Sequence, residues 1–387
     1  MQISTRQTRR ITKAVLAVLV GAFLVACSSS SSSSGTAAGT DPSSQPADPG
    51  VAAARAFIAK YEQVPTSIGV NEPLTTRPVP GKTLVYLQCD VPQCALETPI
   101  LAAATTAVGW KLKVLNYQSA NPATFLSALN SALQYHPVAT TFTAIAPYAV
   151  WSSIVPAYKA AGVAIIPLGG MDTPTNATII RNVLGRPDIG LQAQVMADWF
   201  IADSGGHGKA LFWTVPQAPA INYTQEVFSA EVAKNCPGCS VQLLKEALPD
   251  VAAGDAPADI ATALRSNPSL QYVFLGNIVE ATGLQAALKT AGVSGVKIAG
   301  FLGGATDQES VRSGAETAVT PLPLTVGAWQ VVDGALRYAE GMPVPPVTAP
   351  FQLLTTATMA ATNVSASNAY PYPVNYEVLF KQLWKVS

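Results

Sequence analysis

The sequence predicts an α/β protein built from two successive halves, each with a mainly parallel β-sheet. From residue 83 onward, short runs rich in β-branched and aromatic residues alternate with helical stretches of about ten to fifteen residues, which is typical of parallel strands joined by crossover helices. Behind a polar N-terminal segment, about 330 of the 387 residues remain. Such a length exceeds the usual size of one hydrophobic core and predicts two domains of about 120 to 170 residues each.

The order of predicted strands and helices supports two α/β halves in tandem. The predicted strands are 83–88, 111–115, 139–144, 164–167, 210–214, 240–245, 272–275 and 297–299. Helices predicted between them include 122–134, 151–161, 189–203 and 279–291. Gly162 and Gly292 follow Ala161 and Ala291 where a helix has to end, and glycine supplies the left-handed conformation of a helix cap.

The N-terminus has the features of an export signal. Basic residues at positions 6, 9, 10 and 13 precede the apolar run 14–26, which is too short to span a bilayer comfortably. The tetrapeptide Leu24-Val25-Ala26-Cys27 resembles the bacterial lipobox, in which the cysteine is acylated and becomes the first mature residue. We therefore expect a lipoprotein signal peptide at 1–27 and a lipid anchor on Cys27, at the extracytoplasmic face of the cell membrane. The alternative is an ordinary signal peptide with a chance cysteine.

A polar segment follows the lipobox and begins with the serine run 28–34. Residues 28 to about 50 are mostly Ser, Gly, Pro, Ala and Asp, which are too polar to bury a core. We predict that 28–75 is a flexible tether with a leading helix. Beyond the apolar run 14–26, the sequence contains no apolar run of membrane-spanning length.

The charge balance excludes several classes of partner. Twenty-three basic and 23 acidic residues cancel, and charged residues make up only 12% of the chain. Neither the basic surface expected for nucleic-acid binding nor an acidic tail is present. We expect partners to be recognised by shape and local chemistry.

Four further cysteines form two close pairs, Cys89 with Cys94 and Cys236 with Cys239. In an exported protein such pairs predict disulfides. The segment Cys236-Pro237-Gly238-Cys239 also has the spacing of a thiol redox motif, but redox cysteines of that type lie at a helix start. Here the predicted helix 224–234 precedes the pair, which favours a structural disulfide.

Catalysis is a poor alternative for this sequence. The two histidines are His136, which precedes a proline at a helix end, and His207, which lies in a glycine-rich turn. No Gly-x-Ser-x-Gly elbow and no histidines at metal-ligand spacing occur. We expect no enzyme activity, catalytic residue, metal or cofactor.

The loops after the predicted strands are the candidate binding region. Open parallel sheets bind ligands outside the carboxyl ends of their strands. The loops in question are 88–93, 146–151, 168–172, 215–223, 276–280 and 301–306.

With these features together, the chain resembles the type 1 periplasmic binding proteins, the group that contains ribose-binding protein and the cores of LacI-type regulators. The segments that carry the resemblance are 84–86, 160–167, 277–292, 296–304 and 327–341. The resemblance implies two Rossmann-like lobes with parallel sheets, joined by a three-crossover hinge. It implies that lobe one comprises 76–185 and 320–356, lobe two comprises 186–319, and 357–387 is a C-terminal tail.

The resemblance also implies a function and a mechanism. Members close around a small molecule in the interlobe cleft through a hinge motion, and an ABC permease recognises the closed form. We therefore expect a solute-binding lipoprotein of an ABC transporter that acts as a monomer. A ligand-presenting sensor component uses the same closed surface and stays open as an alternative, as does a structural envelope lipoprotein.

The polar clamp of the sugar-binding members is largely missing. Each buried sugar hydroxyl needs a partner or costs free energy. Where those members carry acidic, basic or amide side chains, this sequence has Tyr148, Gly169-Gly170, Ile278, Leu302 and Pro321. The sequence thus predicts a ligand with an apolar or aromatic face, while a sugar bound by a carbohydrate importer remains the alternative.

Twelve residues on or near the loops are candidate ligand-binding residues. The aromatic candidates are Tyr148, Trp151, Trp213, Tyr223 and Phe301, and the polar candidates are Asp90, Gln93, Asp172, Gln217, Asn222, Asn277 and Glu280. An apolar wall with a few polar anchors suits such a ligand. For each residue a second explanation stays open, since an aromatic side chain at a strand end often belongs to the core and a loop Asp or Asn often caps a helix.

Overall fold

A computed structural model describes residues 49–361 and 373–386, and Ala47–Ser387 forms one compact unit. The predicted signal peptide, the lipobox with Cys27 and the serine run lie outside the described residues. Within the described part, no helix has both the length and the apolar character needed to cross a membrane.

The first sheet has four parallel strands in the order β2-β1-β3-β4. Its strands are β1 (Thr83–Cys89), β2 (Lys111–Tyr117), β3 (Ala139–Thr143) and β4 (Ala164–Leu168). Successive side chains of a strand point to opposite faces. Leu84 and Tyr86 accordingly enter one hydrophobic core, and Val85 and Leu87 enter another on the opposite face.

The second sheet has six strands in the order β10-β9-β8-β7-β5-β6. Its strands are β5 (Lys209–Thr214), β6 (Ser240–Lys245), β7 (Tyr272–Leu275), β8 (Lys297–Gly303), β9 (Ala318–Pro321) and β10 (Leu354–Thr355). All neighbours are parallel except β10, which is antiparallel to β9. Phe212, Phe228, Phe274 and Phe301 pack with ring centroids 4.5 to 6.5 Å apart and form the centre of its core.

Thirteen α-helices are present in the described residues. They are α1 (Pro49–Ile58), α2 (Pro92–Ala107), α3 (Pro122–Ala132), α4 (Tyr148–Trp151), α5 (Val155–Ala161), α6 (Arg186–Asp203), α7 (Pro219–Asn235), α8 (Leu248–Ala253), α9 (Ala256–Ser266), α10 (Leu284–Ala291), α11 (Ala305–Ser313), α12 (Leu324–Ala339) and α13 (Tyr376–Leu383). Helices α2 and α12 pack together on the first sheet, whereas α6 packs against α7 beside the second. The predicted α/β architecture with two Rossmann-like lobes and parallel sheets is confirmed.

All eight predicted strands are present, but two predicted helices are divided. The predicted helix 279–291 is a 3₁₀ turn, Ile278–Ala281, followed by α10, because Gly283 between them has a φ of 85°. The predicted helix 151–161 starts three residues earlier, as α4, and is interrupted before α5. Pro156 lies in the first turn of α5, where the missing N–H is tolerated.

The chain after residue 317 is divided between the lobes differently from our expectation. We assigned 320–356 to lobe one, yet β9 and β10 both belong to the second sheet. Helix α12 packs on the first lobe, where it contacts α2 and β4, and Val347 and Ala349 of the following segment belong to the same core. Neither β9 nor β10 was predicted. They have four and two residues, too few to show the alternation that identifies a strand.

Both ends of the described chain pack on a lobe. Helix α1 packs on α6 of lobe two, although we had assigned it to the tether region. Helix α13 returns to lobe one, where Trp384 stacks on Trp329 of α12 with ring centroids 5.2 Å apart. The predicted tail is therefore part of the fold on its described C-terminal side.

Both predicted disulfides are formed. Cys89–Cys94 joins the end of β1 to the first turn of α2, and Cys236–Cys239 links two residues just beyond α7. The position of the second pair at a helix end agrees with the structural role that we predicted.

Candidate functional site

The candidate site is the set of loops at the carboxyl ends of the parallel strands in both lobes. These ends are where an open α/β sheet leaves a crevice for a ligand. In lobe one the loops follow β1, β2, β3 and β4, and in lobe two they follow β5, β6, β7 and β8. Ten of the twelve predicted site residues fall on these loops or in the helical turns that begin there, whereas Trp213 and Phe301 lie within β5 and β8.

In lobe one, Asp90 connects the ends of β1 and β2. Its Oδ1 accepts hydrogen bonds from the Ser119 backbone N–H at 2.9 Å and from the Ser119 hydroxyl at 2.6 Å. These bonds favour the ionised form and lower the pKa of Asp90. Gln93 lies half-buried in the first turn of α2, within the loop that the Cys89–Cys94 disulfide closes.

Asp172 connects the first crossover to the loop after β3. Its two carboxylate oxygens accept from the Tyr148 backbone N–H at 3.0 and 3.2 Å, at the start of α4. The Tyr148 ring is half-buried and meets the Trp151 ring edge-on at 4.9 Å. A carboxylate acceptor and an aromatic ring are thus brought to the same edge of lobe one.

Beneath this edge lies a buried carboxyl group that our sequence analysis did not identify. Glu97 of α2 is 1% exposed and accepts from the Thr143 hydroxyl, at the end of β3, at 2.7 Å. Burial raises the pKa of Glu97 to about 7, and the bond from Thr143 opposes that rise. This carboxyl group therefore lies at the floor of the lobe-one loops and titrates near neutrality.

In lobe two, two glutamates lie at the ends of β6 and β7. Glu246 is 5% exposed and accepts from the Trp213 indole N–H. Burial raises its pKa, with a smaller contribution from Asp259. The pKa of Glu280 is also raised, first by burial and then by Glu246. Trp213 was predicted to belong to an aromatic wall, and Glu246 was not identified from the sequence. In the structure the two side chains form a hydrogen bond.

Three of the predicted aromatic site residues lie in the cores. Trp151, Trp213 and Phe301 are 0%, 0% and 1% exposed. Trp151 packs edge-on against Phe142, and Phe301 points into the aromatic core because β8 runs on to Gly303. The packing leaves these three rings no surface for a ligand in this structure.

The remaining lobe-two candidates surround the start of α7. Gln217 is exposed in the loop before it, and Asn222 donates to Glu226 Oε1 at 2.7 Å within the helix. Tyr223 carries the guanidinium of Arg186 over its ring, at 4.0 Å from the centroid. Asn277 is half-buried directly after β7.

Arg186 was missed by the sequence analysis, although it is the first residue of α6 and stacks on a predicted site residue. Its position directly after the first crossover was the available signal. Stacking on an aromatic ring orients a guanidinium while leaving its N–H donors free for other partners.

Four exposed apolar side chains on the loops were also missed. They are Val91 after β1, Ile145 after β3, Leu248 after β6 and Val279 after β7, and they are between 39% and 53% exposed. Two of them belong to each lobe. Each of the four lies directly beyond the carboxyl end of a strand.

Metal binding has no support in the described part of the chain. No group of three or more His, Cys, Asp or Glu side chains there is placed to hold a metal ion.

Comparison with solved structures identifies the fold. A galactofuranose-binding protein superposes with a TM-score of 0.60 at 16% identity, covering 72% of this chain and 96% of its own. An arabinose-transporter binding protein from Shewanella sp. ANA-3 superposes with a TM-score of 0.62 at 15% identity, covering 78% and 96% of the two chains. This chain has the type 1 periplasmic binding protein fold.

A third solute-binding protein, from Mycobacterium smegmatis and with bound glycerol, superposes with a TM-score of 0.62 at 17% identity. The superposition covers 99% of that protein and 75% of this chain. The second and third of these neighbours are named as binding proteins of ABC transporters. By sequence alone, no protein-family model and no curated protein matches the chain.

Proposed function

We propose that this protein is the solute-binding lipoprotein of an ABC importer, anchored by Cys27 at the extracytoplasmic face, and that its ligand carries an apolar or aromatic face. The four exposed apolar side chains on the strand-end loops of both lobes are the observation that carries the proposal. The type 1 periplasmic binding protein fold supports the transport role, because that fold closes two lobes around one small molecule.

The exposed apolar residues favour a ligand with apolar surface over a purely polar one. Val91 and Ile145 in lobe one, and Leu248 and Val279 in lobe two, remain in water unless something covers them. Since about half of each side chain is already covered, burying the rest is worth roughly 1 kcal/mol apiece. A ligand that contacts side chains from both lobes therefore favours the closed state through the binding energy itself.

Import of a sugar is the second candidate function. The structural neighbours include proteins named for galactofuranose, ribose and arabinose. The half-buried rings of Tyr148 and Tyr223 and the carboxylates of Asp90 and Asp172 also suit stacking against a sugar ring and bonds from its hydroxyls.

A thermal-shift screen of residues 28–387 separates the two candidates. We expect aromatic and apolar acids, alcohols and amines to raise the melting temperature, because they bind the native state alone. Leu248→Ser and Val279→Ser should then weaken binding of the hit about fivefold each, since each removes roughly 1 kcal/mol of contact. A shift with neutral sugars alone, unchanged in both variants, would contradict the apolar ligand and leave the sugar importer.

The matched control is Val374→Ser. Val374 is 63% exposed and precedes α13 on the tail, away from the strand-end loops. We expect it to leave ligand affinity unchanged. An equal loss in Val374→Ser would mean that the loop residues act through general stability rather than through contact.

The lipid anchor is tested separately. Expression with the native leader should place the protein in the membrane fraction with a fatty-acid label, and Cys27→Ala should abolish the label. A labelled Cys27→Ala variant would contradict acylation at this cysteine.

A further inference from the structure

Lobe two contains a cavity between α10 and α11, beside the loops that follow β7 and β8, and none of the twelve predicted ligand-binding residues lines it. It has a volume of about 210 Å³ and lies between the 3₁₀ turn Ile278–Ala281, the start of α10, and α11. Its lining includes Gln285 of α10, Ile298 of β8, and Asp307, Ser310 and Glu316 on or beside α11. A polar cavity of this size holds several waters or a small organic molecule.

Glu316 is the unusual group of the cavity. Its side chain lines the space and is only 6% exposed. Oε2 is buried, and no described residue donates a hydrogen bond to it. A buried carboxylate oxygen without a donor costs free energy, so a cation or donor bound beside the carboxyl group would stabilise the ionised form of Glu316.

The other polar groups of the cavity leave Glu316 without compensation. Asp307 Oδ2 accepts from the Gly304 backbone N–H at 2.8 Å and adds a second negative charge. One N–H of the Gln285 amide donates to the Ala315 carbonyl at 2.5 Å, and the amide makes no hydrogen bond to Glu316 Oε2. No Lys, Arg or His is among the described lining residues.

The chemistry of the lining therefore selects for positive charge and hydrogen-bond donors. Two carboxyl groups and the hydroxyls of Thr306 and Ser310 are acceptors, while Ile298 and Ala315 supply a small apolar wall. A primary ammonium group has three N–H donors and one positive charge, and its short alkyl chain suits such a wall.

We propose that this cavity is a second binding site, which takes a small primary ammonium compound whose nitrogen is held by Glu316. The site is independent of the ligand bound between the lobes. The cavity lies against α11, and α11 packs on β9 and β10. These two strands come directly before and after the segment in which α12 crosses to lobe one and the chain returns.

Binding at this site has a pH signature. Burial, and then the charge of Asp307, raise the pKa of Glu316 to about 8. Of the charged groups on the surrounding elements, Asp307 of α11 is the one that acts on it. An ammonium compound binds the ionised form, so below about pH 8 it displaces a proton, and affinity rises with pH, approaching tenfold per pH unit.

The test is calorimetric and thermal-shift titration of residues 28–387 with methylammonium at constant ionic strength. We expect saturable binding with a dissociation constant on the order of 1 mM. The affinity should rise from pH 6 to pH 8 with release of a proton. Glu316→Gln should weaken it by at least tenfold, and Ser310→Leu should abolish it by filling the cavity while leaving the carboxyl group in place.

Controls separate this site from general ion effects. Glu309→Gln alters an exposed carboxylate of the same helix, which pairs with Arg312, and should leave binding unchanged. Potassium and tetramethylammonium, which lack N–H donors, should not compete. Four outcomes would each overturn the proposal. Two concern methylammonium, namely no binding at all and binding to Glu316→Gln with unchanged affinity. The other two are equal binding of potassium, and pH-independent binding of a neutral polyol in place of methylammonium. A ligand found for the strand-end loops would be unaffected by any of these outcomes.

Discussion

Arg181 and Arg337 donate to the same carboxylate oxygen of Asp333. Arg181 Nη1 and Arg337 Nε each lie 2.9 Å from Asp333 Oδ2, and the Trp384 indole N–H reaches Oδ1 at 3.1 Å. All four side chains are at most 1% exposed. Arg181 also donates to the Pro345 carbonyl. One carboxylate therefore joins the first crossover, α12, the segment after α12 and the C-terminal helix.

Asp333→Asn should destabilise the protein strongly. The substitution leaves two buried guanidinium groups without their counter-charge, and breaking a buried ion pair from one side costs about 3 to 5 kcal/mol. Burial already lowers the pKa of Arg181, and Asp333 opposes that change. Urea unfolding measures the loss. Glu309→Gln, which breaks an exposed pair, should cost under about 1 kcal/mol, and an equal cost in both variants would contradict a special role for Asp333.

Asp188 should make stability depend on pH. It lies in the first turn of α6, is 2% exposed, and accepts from the Ala349 backbone N–H at 2.7 Å. Burial raises its pKa from 3.8 to about 6. Because the folded-state value is raised, its favourable contribution is present below about pH 4 and is lost as the pH rises through 6.

Asp188→Asn keeps the acceptor for Ala349 and removes the ionisation. We expect the variant to gain stability over the wild type at pH 7, by at most ~3 kcal/mol, and the gain to shrink toward pH 4.5. Urea unfolding at both pH values measures this gain. A difference that does not change with pH would show that Asp188 is not the titrating group. Glu309→Gln, at an exposed carboxylate of α11, is the control.

The fold was largely predictable from the sequence because its strands have strong local signals. Segments 83–88 and 272–275 carry four or more β-forming residues in a row, and glycines end the helices before β4 and β8. The path of the chain beyond residue 317 was not predictable. Two short strands and one helix alternate between the lobes there, and only tertiary contacts decide to which sheet a two-residue strand belongs.

The candidate site was predictable as a set of loops but not as a set of contacts. Asp90, Tyr148 and Asp172 lie where the strand-end rule places them. The sequence does not show which face of a strand end is buried, so Trp213 and Phe301 looked like wall residues while their alternation sends them into the core. Arg186 had only its position after the first crossover as a signal, and Glu316 had none, since each acts through neighbours distant in the sequence or through a cavity.

The two disulfides should contribute similarly to stability but differently to the site. Each closes a short loop, and the chain-entropy model gives roughly 2 kcal/mol for loops of this size. Replacing Cys89 and Cys94 by serine should also speed amide hydrogen exchange at 90–93, the loop that carries Asp90 and Gln93. Replacing Cys236 and Cys239 should leave that exchange unchanged, so equal acceleration in both variants would contradict a local role.

Replacing Gln308 of α11 with an apolar residue should raise the free energy of unfolding. It is fully buried, and neither amide atom has a hydrogen-bond partner within the described part of the chain. It lies three residues before the buried Val311, so both face the second sheet. Gln308→Met keeps helix propensity and similar volume while removing the unpaired polar atoms, which should raise the free energy of unfolding by about 1 to 3 kcal/mol.

The matched control for this variant is Gln330→Met. Gln330 of α12 is equally buried, but its Nε2 donates to the Ile68 carbonyl at 2.9 Å. Its replacement leaves that carbonyl unpaired and should lower the free energy of unfolding by about 1 to 3 kcal/mol. Urea unfolding of both variants measures the two signs. A loss of stability in Gln308→Met as well would show that ordered water satisfies the amide, because removing a buried water with several hydrogen bonds is costly.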